Sequence, residues 1–581
     1  MLKALRYLKP YRFGVAIVFT LVALRAFLDL LLPNLLGKIV SEGLGLGEVV
    51  SNPNLERIFY YAALMLGATI ISIGVTIYGG YLESKISAGF AKNLRAAVYE
   101  KIEQFSLREM DHFTTSSLIT RTTNDIQQLQ GIVHMLLRMI ILAPLLAAGA
   151  ITFSIIQQPT LSMVLVASIT ALVTMLVIVF SITMPKFQLV QLLVDRLNLV
   201  TRENLTGLRV VRAYNTQAYQ AKRIDDASKE SMRLNIFVNR VSSVMWPFMG
   251  LVQGITSLII VYLGARFFVG LNGFSPASLM ALMQYAMRAV MAFMFMSFIF
   301  VSIPRAAISA RRIMEVLEMD IDIKDPEKPV DLPQNIQGAI EFKDVCFQYP
   351  DASEPVLSHV TFKVKPGSTT AFIGSTGSGK STLINLIPRF YERTCGTITI
   401  DGIDIKDMNQ SDLHGLIGYV PQKGILFGGS IRDNILFAEH ADETNLEEAA
   451  TIAQAHDFIR EMEDGYEHDI AQGGTNVSGG QRQRLSIARA IAKKPPIYIF
   501  DDSFSALDYK TDHKLRMMLN EKVTATKLIV AQRINTIRHA DQIIVLDKGT
   551  IVGIGTHEEL MRTSIVYQEI ASSQLSKEEL R

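Results

Sequence analysis

The chain has 581 residues, which is too long for one hydrophobic core and predicts several domains. Its 57 basic and 55 acidic residues give a formal net charge of +2, without the basic excess typical of nucleic-acid-binding proteins, so no nucleic-acid partner is expected. The two cysteines, Cys346 and Cys395, lie in neither a CxxC nor a Cys/His pattern, so we expect no disulfide framework and no zinc site.

Six segments in the first half of the chain are apolar and long enough to cross a bilayer, which takes about 20 helical residues. They lie near residues 13–36, 59–81, 129–156, 161–184, 244–269 and 277–303. The connections after the second and fourth segments are long, with helical periodicity, so we predict helical extensions beyond the bilayer. Basic residues concentrate before the first segment and in these two connections. The positive-inside rule therefore predicts a multi-pass protein of the cell (inner) membrane with both termini in the cytoplasm.

Ionisable and thioether side chains inside the predicted spans are candidates for a substrate cavity, because a charge buried in hydrocarbon is unfavourable unless it is paired or hydrated. Arg25 and Asp29 are four residues apart and can pair on one helix face. Met287, Arg288 and Met291 lie in the sixth segment, and flexible Met side chains suit surfaces that accept varied partners. Structural pairing, helix packing and lipid contact are alternative roles for the same residues, and Arg288 can also extend its charged end to the membrane interface.

From about residue 336 the pattern is that of a soluble α/β domain, with strands predicted at 339–349, 360–364 and 369–373. The third strand leads into residues 374–381, GSTGSGKS, which match the phosphate-binding pattern GxxxxGK[ST] at every fixed position. In such a loop, backbone N–H groups hold phosphate oxygens, Lys380 reaches the β- and γ-phosphates and Ser381 binds Mg²⁺. The residues predicted to bind ATP here are Gly374, Ser375, Thr376, Gly377, Ser378, Gly379, Lys380, Ser381 and Thr382.

Two further motifs complete the ATP chemistry. The apolar run 497–500 ends in Asp501, as expected for a buried strand that delivers a carboxylate to Mg²⁺, and Asp502 follows where a base for the attacking water would lie. Residues 477–481 read Val-Ser-Gly-Gly-Gln and precede a predicted helix at 482–492, which makes them a second potential anion site. One ATP molecule needs only one of these two sites within the chain.

Six spans followed by these motifs resemble a half-transporter of the ATP-binding cassette (ABC) exporters over essentially the whole chain. The resemblance implies an α-helical transmembrane domain at residues 1–320, a linker at 321–335 and an α/β P-loop nucleotide-binding domain at 336–581. It also implies that Tyr349 stacks on adenine, that Gln422 senses Mg²⁺, and that segments 110–117 and 213–221 are coupling helices. In the family each ATP lies between the phosphate loop of one cassette and the signature of another. The signature residues would be Val477, Ser478, Gly479, Gly480 and Gln481.

Two catalytic positions depart from the family pattern. Asp502 stands where the family has glutamate, and Gln532 stands where it has histidine. Aspartate is one methylene shorter, and a misplacement of about 1 Å can reduce a rate roughly 10²-fold. Glutamine cannot become a cation near neutral pH.

We therefore predict an ATP-hydrolysing exporter subunit whose own phosphate loop hydrolyses slowly. A homologous half-transporter would form a heterodimer with it and carry the faster site, which this chain's signature would complete. The predicted substrates are amphipathic or hydrophobic compounds such as drugs or lipids. A lipid or peptide exporter and an ATP-gated regulator without transport are the alternatives.

Overall fold

A computed structural model describes residues 3–45, 52–269, 276–333, 335–350, 352–438 and 441–575. The chain folds into two compact units. The first comprises Met1–Glu103 and Thr115–Met319, and the second comprises Gln104–Thr114 and Asp320–Arg581. The segment Gln104–Thr114 therefore packs with the second unit although it lies within the first half of the sequence.

The first unit is built of long helices. The α-helices of the first half of the chain are α1 (Arg12–Lys38), α2 (Leu55–Glu103), α3 (Leu107–His112), α4 (Thr115–Thr120), α5 (Ile126–Gln157), α6 (Pro159–Thr206), α7 (Leu208–Ala213), α8 (Gln217–Ser243), α9 (Met245–Val269) and α10 (Pro276–Leu317). Of these, α3 belongs to the second unit. A 3₁₀ helix at Ala4–Tyr11 precedes α1, and π-helical turns lie at Ile39–Gly43 and Arg121–Asp125.

Within the described residues, five helical stretches are long and apolar enough to cross a membrane. They are Ala4–Gly43, Leu55–Glu103, Thr115–Gln157, Pro159–Lys186 and Gln217–Arg266. The sixth predicted segment, 277–303, lies in α10, which has 42 residues. Helices α2 and α6 have 49 and 48 residues, far more than the ~20 needed to cross a bilayer, which confirms the predicted helical extensions.

Many large apolar side chains of the first unit point outward. On α2, Phe59 is 72% exposed and Ile77 is 69% exposed. A water-facing surface rarely carries so many large apolar groups, whereas hydrocarbon solvates them. This pattern fits a helix that faces lipid.

The predicted bounds of the two coupling segments are wrong. The first helix is α3, which starts earlier because Ser106 and Glu109 form a capping box: the Glu109 carboxylate accepts from the Ser106 backbone N–H at 2.7 Å. It ends before residue 113, inside the predicted segment. In the second segment, α7 ends at Ala213 and α8 begins at Gln217, so the tip between them is a turn.

The described residues of the second unit form three sheets. Its strands are β1 (Ile340–Phe347), β2 (Leu357–Val364), β3 (Thr369–Ile373), β4 (Cys395–Ile400), β5 (Ile403–Asp404), β6 (Ile417–Val420), β7 (Gly429–Ser430), β8 (Asp469–Ile470), β9 (Ile497–Asp501), β10 (Thr526–Val530), β11 (Gln542–Asp547) and β12 (Thr550–Gly555). The central sheet has the order β12-β11-β3-β10-β9-β6, and all its pairs are parallel except β11–β12. An antiparallel sheet has the order β2-β1-β4-β5, and β7 pairs with β8.

Two hydrophobic cores lie in this unit, and β3 contributes to both by alternation. Ala371 and Ile373 belong to one core, and Phe372 between them belongs to the other. The remaining helices are α11 (Lys380–Leu386), α12 (Gln410–Gly415), α13 (Ile431–Ile435), α14 (Leu446–Ile452), α15 (His456–Arg460), α16 (Gly479–Ala492), α17 (Tyr509–Lys522), α18 (Ile534–Ile537), α19 (His557–Thr563) and α20 (Ile565–Gln574).

The expectation that the cysteines form no disulfide is also wrong, because Cys346 and Cys395 are bonded to each other. Cys346 lies in β1 and Cys395 begins β4, and the two residues are partners in the antiparallel ladder. Their Cα atoms are 4.9 Å apart, within the range that a disulfide can bridge. Strand pairing brings them together across 49 residues, a separation that carries no local sequence signal.

Candidate ATP site

The candidate site lies where four parallel strands of the central sheet end. The glycine-rich loop follows β3, Asp501 is the last residue of β9, Gln532 follows β10 and Gln422 follows β6. In open parallel sheets, ligands bind at the carboxyl ends of the strands because the loops converge there. The sheet order therefore brings together residues that are separated by up to 158 positions in sequence.

The glycines of the phosphate loop are required by its backbone. A Cβ atom at Gly374 would lie 2.1 Å from the Leu546 carbonyl oxygen. Gly379 has φ of +97°, and a Cβ there would lie 2.8 Å from Leu357. Larger residues at either position would displace the loop, as the motif predicts. Ser375, Thr376 and Gly377 at the tip are exposed, so this part of the loop is accessible from solvent.

Lys380 is folded back into the phosphate loop. Its ammonium group donates to the carbonyl oxygens of Gly374 and Ser375 at 2.9 and 2.7 Å, and to the Ser378 hydroxyl at 3.3 Å. Burial lowers the pKa of Lys380, while the nearby carboxylates of Asp502 and Asp501 oppose the shift. A buried cation surrounded by the loop's own oxygens is positioned for an anion that enters the loop.

Ser381 and Asp501 form the oxygen pair expected at a magnesium site. The Ser381 hydroxyl donates to Asp501 Oδ1 at 3.1 Å. Burial raises the pKa of Asp501, and the neighbouring Asp502 adds to the shift, so this position gains from a nearby cation. Within the described ranges, no group of three or more His, Cys, Asp or Glu residues could hold a metal ion. Mg²⁺ commonly uses one or two carboxylates together with substrate phosphates and water, which fits a single hydroxyl–carboxylate pair.

Asp502 is in direct contact with both Gln422 and Gln532. Gln422 and Gln532 both donate through Nε2 to Asp502 Oδ2, at 3.3 and 3.0 Å. Asp502 is 8% exposed and has a φ of +46°, a left-handed conformation that is uncommon outside glycine. Burial raises the pKa of Asp502, and the Gln422 hydrogen bond opposes this shift. We call this group the Asp502 amide pair; it holds the carboxylate between the loops after β6 and β10.

Tyr349 lies beside the phosphate loop in an aromatic group. Its hydroxyl is 3.0 Å from the Thr382 hydroxyl, and its ring meets the edge of Tyr391 with centroids 5.3 Å apart. Tyr391 in turn donates to Asp111 Oδ2 on α3 at 2.7 Å. The predicted adenine-binding residue is thus linked through one ring to the short helix that packs with this unit.

The signature residues form the start of α16. Ser478 is the N-cap: its hydroxyl accepts from the Gln481 backbone N–H at 3.2 Å, and the Gln481 side chain accepts from the Ser478 backbone N–H at 2.9 Å. Val477 is buried, whereas Ser478 and Gly479 are exposed and Gly480 is half-buried. The helix begins at Gly479, three residues before the predicted start. The cap satisfies one backbone N–H of the helix, while Ser478 and Gly479 remain accessible from solvent, as an anion site requires.

Two residues of the site carried no signal that we recognised in the sequence. Tyr391 is one, because it is 42 positions from Tyr349 and belongs to no motif. Gln574 is the other: its amide donates to the Gln532 carbonyl at 2.8 Å, and its oxygen accepts from the Ile534 backbone N–H at 2.9 Å. It fixes the loop that carries Gln532 from the C-terminal helix α20.

The membrane candidates are only partly brought together. Arg25 and Asp29 pair with 3.7 Å between Nε and Oδ2, as predicted, and Asp29 also accepts from the Ser72 hydroxyl at 3.3 Å. Met287 and Met291 are 55% and 46% exposed, and Arg288 is half-buried. Of the predicted cavity residues, Arg25 lines a cavity among α1, α2 and α5, whose described lining does not include the three residues of α10.

Comparisons with known proteins agree with this arrangement. The ABC transporter family model matches residues 357–505, and the model of the ABC transporter transmembrane region matches residues 15–301. An uncharacterised ABC transporter ATP-binding protein of Mycobacterium tuberculosis is 36% identical over 574 residues, which cover 98% of this chain and 97% of the relative. An ATP-dependent lipid A-core flippase of Syntrophus aciditrophicus is 30% identical over 598 residues, covering 100% and 95%.

The fold is also shared with a solved structure. A bacterial Atm1-family ABC exporter with ATP bound superposes with a TM-score of 0.82 at 22% identity, covering 97% of this chain and 100% of the other. The spans, the P-loop sheet and these matches define a membrane protein with an ATP-binding cassette, and the chain belongs to the ABC transporter family. Because the membrane region and the cassette share one polypeptide, it is a half-transporter, with the fold of the matched exporter.

Proposed function

We propose that this chain is the slowly hydrolysing subunit of a heterodimeric exporter of amphipathic drugs or lipids. Its phosphate loop would bind ATP, and its signature would complete the faster site of a homologous half-transporter. The observation that carries the proposal is the Asp502 amide pair, in which both altered catalytic positions share one hydrogen bond. The basic residues before the first span and in the long connections support a cytoplasmic position of the cassette.

The nucleotide would be held by groups that remain intact. Lys380 is positioned to exchange its bonds to loop carbonyls for bonds to phosphate oxygens, and Tyr349 presents a ring that can stack on adenine. Ser381 and Asp501, with Gln422 nearby, are the residues that would hold Mg²⁺. When bound, Mg²⁺ neutralises charge on the phosphates and on the buried carboxylates.

The step that we expect to be slow is activation of the attacking water. Asp502 would take the proton of that water, but its Oδ2 atom already accepts from two amides, and its side chain is one methylene shorter than glutamate. A general base must lie within hydrogen-bond reach of the proton it removes. Gln532 can donate a neutral hydrogen bond but supplies no positive charge. Binding without fast turnover is the expected result.

The substrate class is argued from the first unit. Large apolar side chains line its helices, and the fixed charges inside the spans are few and partly paired, as at Arg25 and Asp29. Helices with these side chains suit amphipathic compounds better than polar solutes. The lipid A-core flippases among the relatives support lipids as one member of that class.

Co-expression and co-purification test the heterodimer. This chain is co-expressed with a homologous half-transporter that has Glu and His at the positions equivalent to Asp502 and Gln532. The ATP turnover of the co-purified pair is then measured in lipid nanodiscs. We expect turnover of the pair to depend on the partner's phosphate-loop lysine and on Ser478 of this chain, and to survive Lys380→Ala in large part. A homodimer of this chain alone with robust ATPase activity would contradict the proposal.

Export itself needs a separate measurement. Inside-out vesicles that contain both subunits should accumulate an amphipathic dye when ATP is added. ATP binding without any ATP-dependent accumulation would favour the regulator that transports nothing.

A further inference from the structure

The first unit contains a small polar cavity inside the predicted spans. It has a volume of about 50 Å³ and is lined by residues of α1, α2 and α5. The polar and glycine residues of its wall are Arg25, Thr76, Gly79, Gly80, Glu83 and Arg138, and the rest of the wall is aliphatic. We call it the Glu83 cavity. This volume is far below the roughly 300–1,000 Å³ of pockets that enclose a whole small molecule, so the cavity has room for a small headgroup only.

Glu83 is the unusual member of this wall. The residue is 4% exposed, and its Oε2 atom is buried without a hydrogen-bond partner among the described residues. A buried acceptor that loses water without gaining a donor is unfavourable, and more so when it carries charge. The position just beyond the predicted span 59–81 explains why span analysis did not select it.

The other charges around the cavity leave that oxygen without a donor. Arg25 is paired with Asp29, which also accepts from Ser72, so its charge is already balanced. Arg138 also lies in the wall, but it is exposed and forms no buried ion pair among the described residues. In the part of the chain that the structure describes, Oε2 of Glu83 is therefore the buried oxygen of this wall that lacks a donor.

The glycines beside Glu83 leave room for a ligand group. A Cβ atom at Gly80 would meet nothing within 4 Å, and one at Gly79 would approach only Glu83 Oε1, at 3.9 Å. A ligand headgroup can therefore approach the helix backbone on the side where the carboxylate lies. The aliphatic remainder of the wall suits the adjoining part of an apolar tail.

We propose that the Glu83 cavity binds the protonated amine of an amphipathic ligand. An alkylammonium group supplies both an N–H donor and a positive charge to Glu83, while its tail contacts aliphatic wall residues. An anionic headgroup would use the arginines but would leave the buried oxygen of Glu83 without a donor. The biological role of this site rests on the proposed export function, whereas its ligand preference does not.

Equilibrium binding in nanodiscs without ATP tests the site directly. Radiolabelled dodecylamine, dodecyltrimethylammonium and dodecanol are compared at neutral pH on the full-length chain, with empty nanodiscs subtracted. A charge-assisted hydrogen bond corresponds to about 10- to 100-fold in affinity, so dodecylamine should bind that much more tightly than dodecanol. The trimethylammonium compound, which has charge but no N–H group, should fall between them.

The variant Glu83→Gln should remove most of the preference for the amine, and Glu83→Asp should retain part of it. The matched control is Glu100→Gln, which makes the same charge change at an exposed position of the same helix. Unchanged nucleotide binding and an unchanged elution volume would show that each variant is folded. Equal amine affinity in Glu83→Gln and the unaltered chain would overturn the proposal, as would tighter binding of dodecyl sulfate than of dodecylamine.

The same variants separate this inference from the export function. If neutral dyes are exported with ATP while Glu83→Gln leaves amine affinity unchanged, the site is wrong and the exporter stands. If amine binding depends on Glu83 but no compound is moved with ATP, the site stands and the export function is wrong.

Discussion

Restoring both altered residues should raise the rate of the ATP site that we propose to be slow. In the double variant Asp502→Glu/Gln532→His, the carboxylate gains one methylene, and an imidazole replaces the amide that donates to Asp502 Oδ2 at 3.0 Å. The second amide, from Gln422 at 3.3 Å, stays in place. The change therefore tests whether reach and charge at these two positions limit hydrolysis.

The expected size follows from geometry. One methylene moves the carboxylate by about 1.5 Å, and a misplacement of about 1 Å can reduce a rate roughly 10²-fold. We therefore expect Asp502→Glu alone to raise kcat about 10²-fold, or about 2.7 kcal/mol in activation free energy. Gln532→His should add a further gain, but because the two side chains are in contact, the double variant should differ from the product of the single variants.

The assay measures phosphate release by the purified full-length chain in nanodiscs. It uses the fraction that mass photometry shows to be dimeric. The variant Lys380→Ala in the double-variant background is the control, since it should abolish the gain. Turnover of the double variant within threefold of the unaltered chain would refute the reasoning, as would fast turnover of the unaltered dimer.

Three other perturbations follow from the same site. Burial raises the pKa of Asp502, so the folded cassette favours the neutral carboxyl. The variant Asp502→Asn should therefore raise Tm at pH 7.5, and the gain should shrink as the pH falls towards about 4 and the carboxyl of the unaltered chain becomes protonated. Thermal melts of both proteins over this pH range measure the difference. Tyr391→Phe removes the bond to Asp111, and a loss of about 1 kcal/mol should speed amide exchange in α3 about fivefold without changing ATP affinity. Gln574→Ala should speed exchange in the loop that carries Gln532, again with unchanged ATP affinity, because it removes both amide bonds to that loop.

The parts of the site that could be predicted are those encoded by contiguous residues. The GxxxxGK[ST] loop is fixed by glycine sterics and by a strand that ends at Ile373, and each of these features is local. Likewise, Asp501 follows an apolar run short enough to be a buried strand. The long helices α2 and α6 were predictable because helical periodicity continues beyond the apolar segments.

The features that could not be predicted depend on strand register or side-chain contacts between distant residues. The partners Cys346 and Cys395 meet only because β1 pairs with β4 in one register, which no local pattern specifies. The link from Tyr349 through Tyr391 to Asp111 joins three separate segments of the chain. Glu83 was missed for a different reason: its burial comes from neighbouring helices, whereas sequence hydropathy places it outside the span.

The location of Gln532 beside Asp502 matters more than the replacement of histidine by glutamine alone. The order β10-β9-β6 places the loops that bear Gln532 and Gln422 on the two sides of the strand that ends at Asp501. Asp502, the next residue, accepts hydrogen bonds from both loops, so the carboxylate that would take a proton from the attacking water is already bonded to two amides. Because side-chain amides do not titrate near neutral pH, Gln422 and Gln532 can keep donating to Asp502 over that range. We propose that such a site retains bound ATP instead of hydrolysing it quickly. In our proposal, the pace of the transport cycle is therefore set at the partner's phosphate loop, which the exposed signature of this chain would complete.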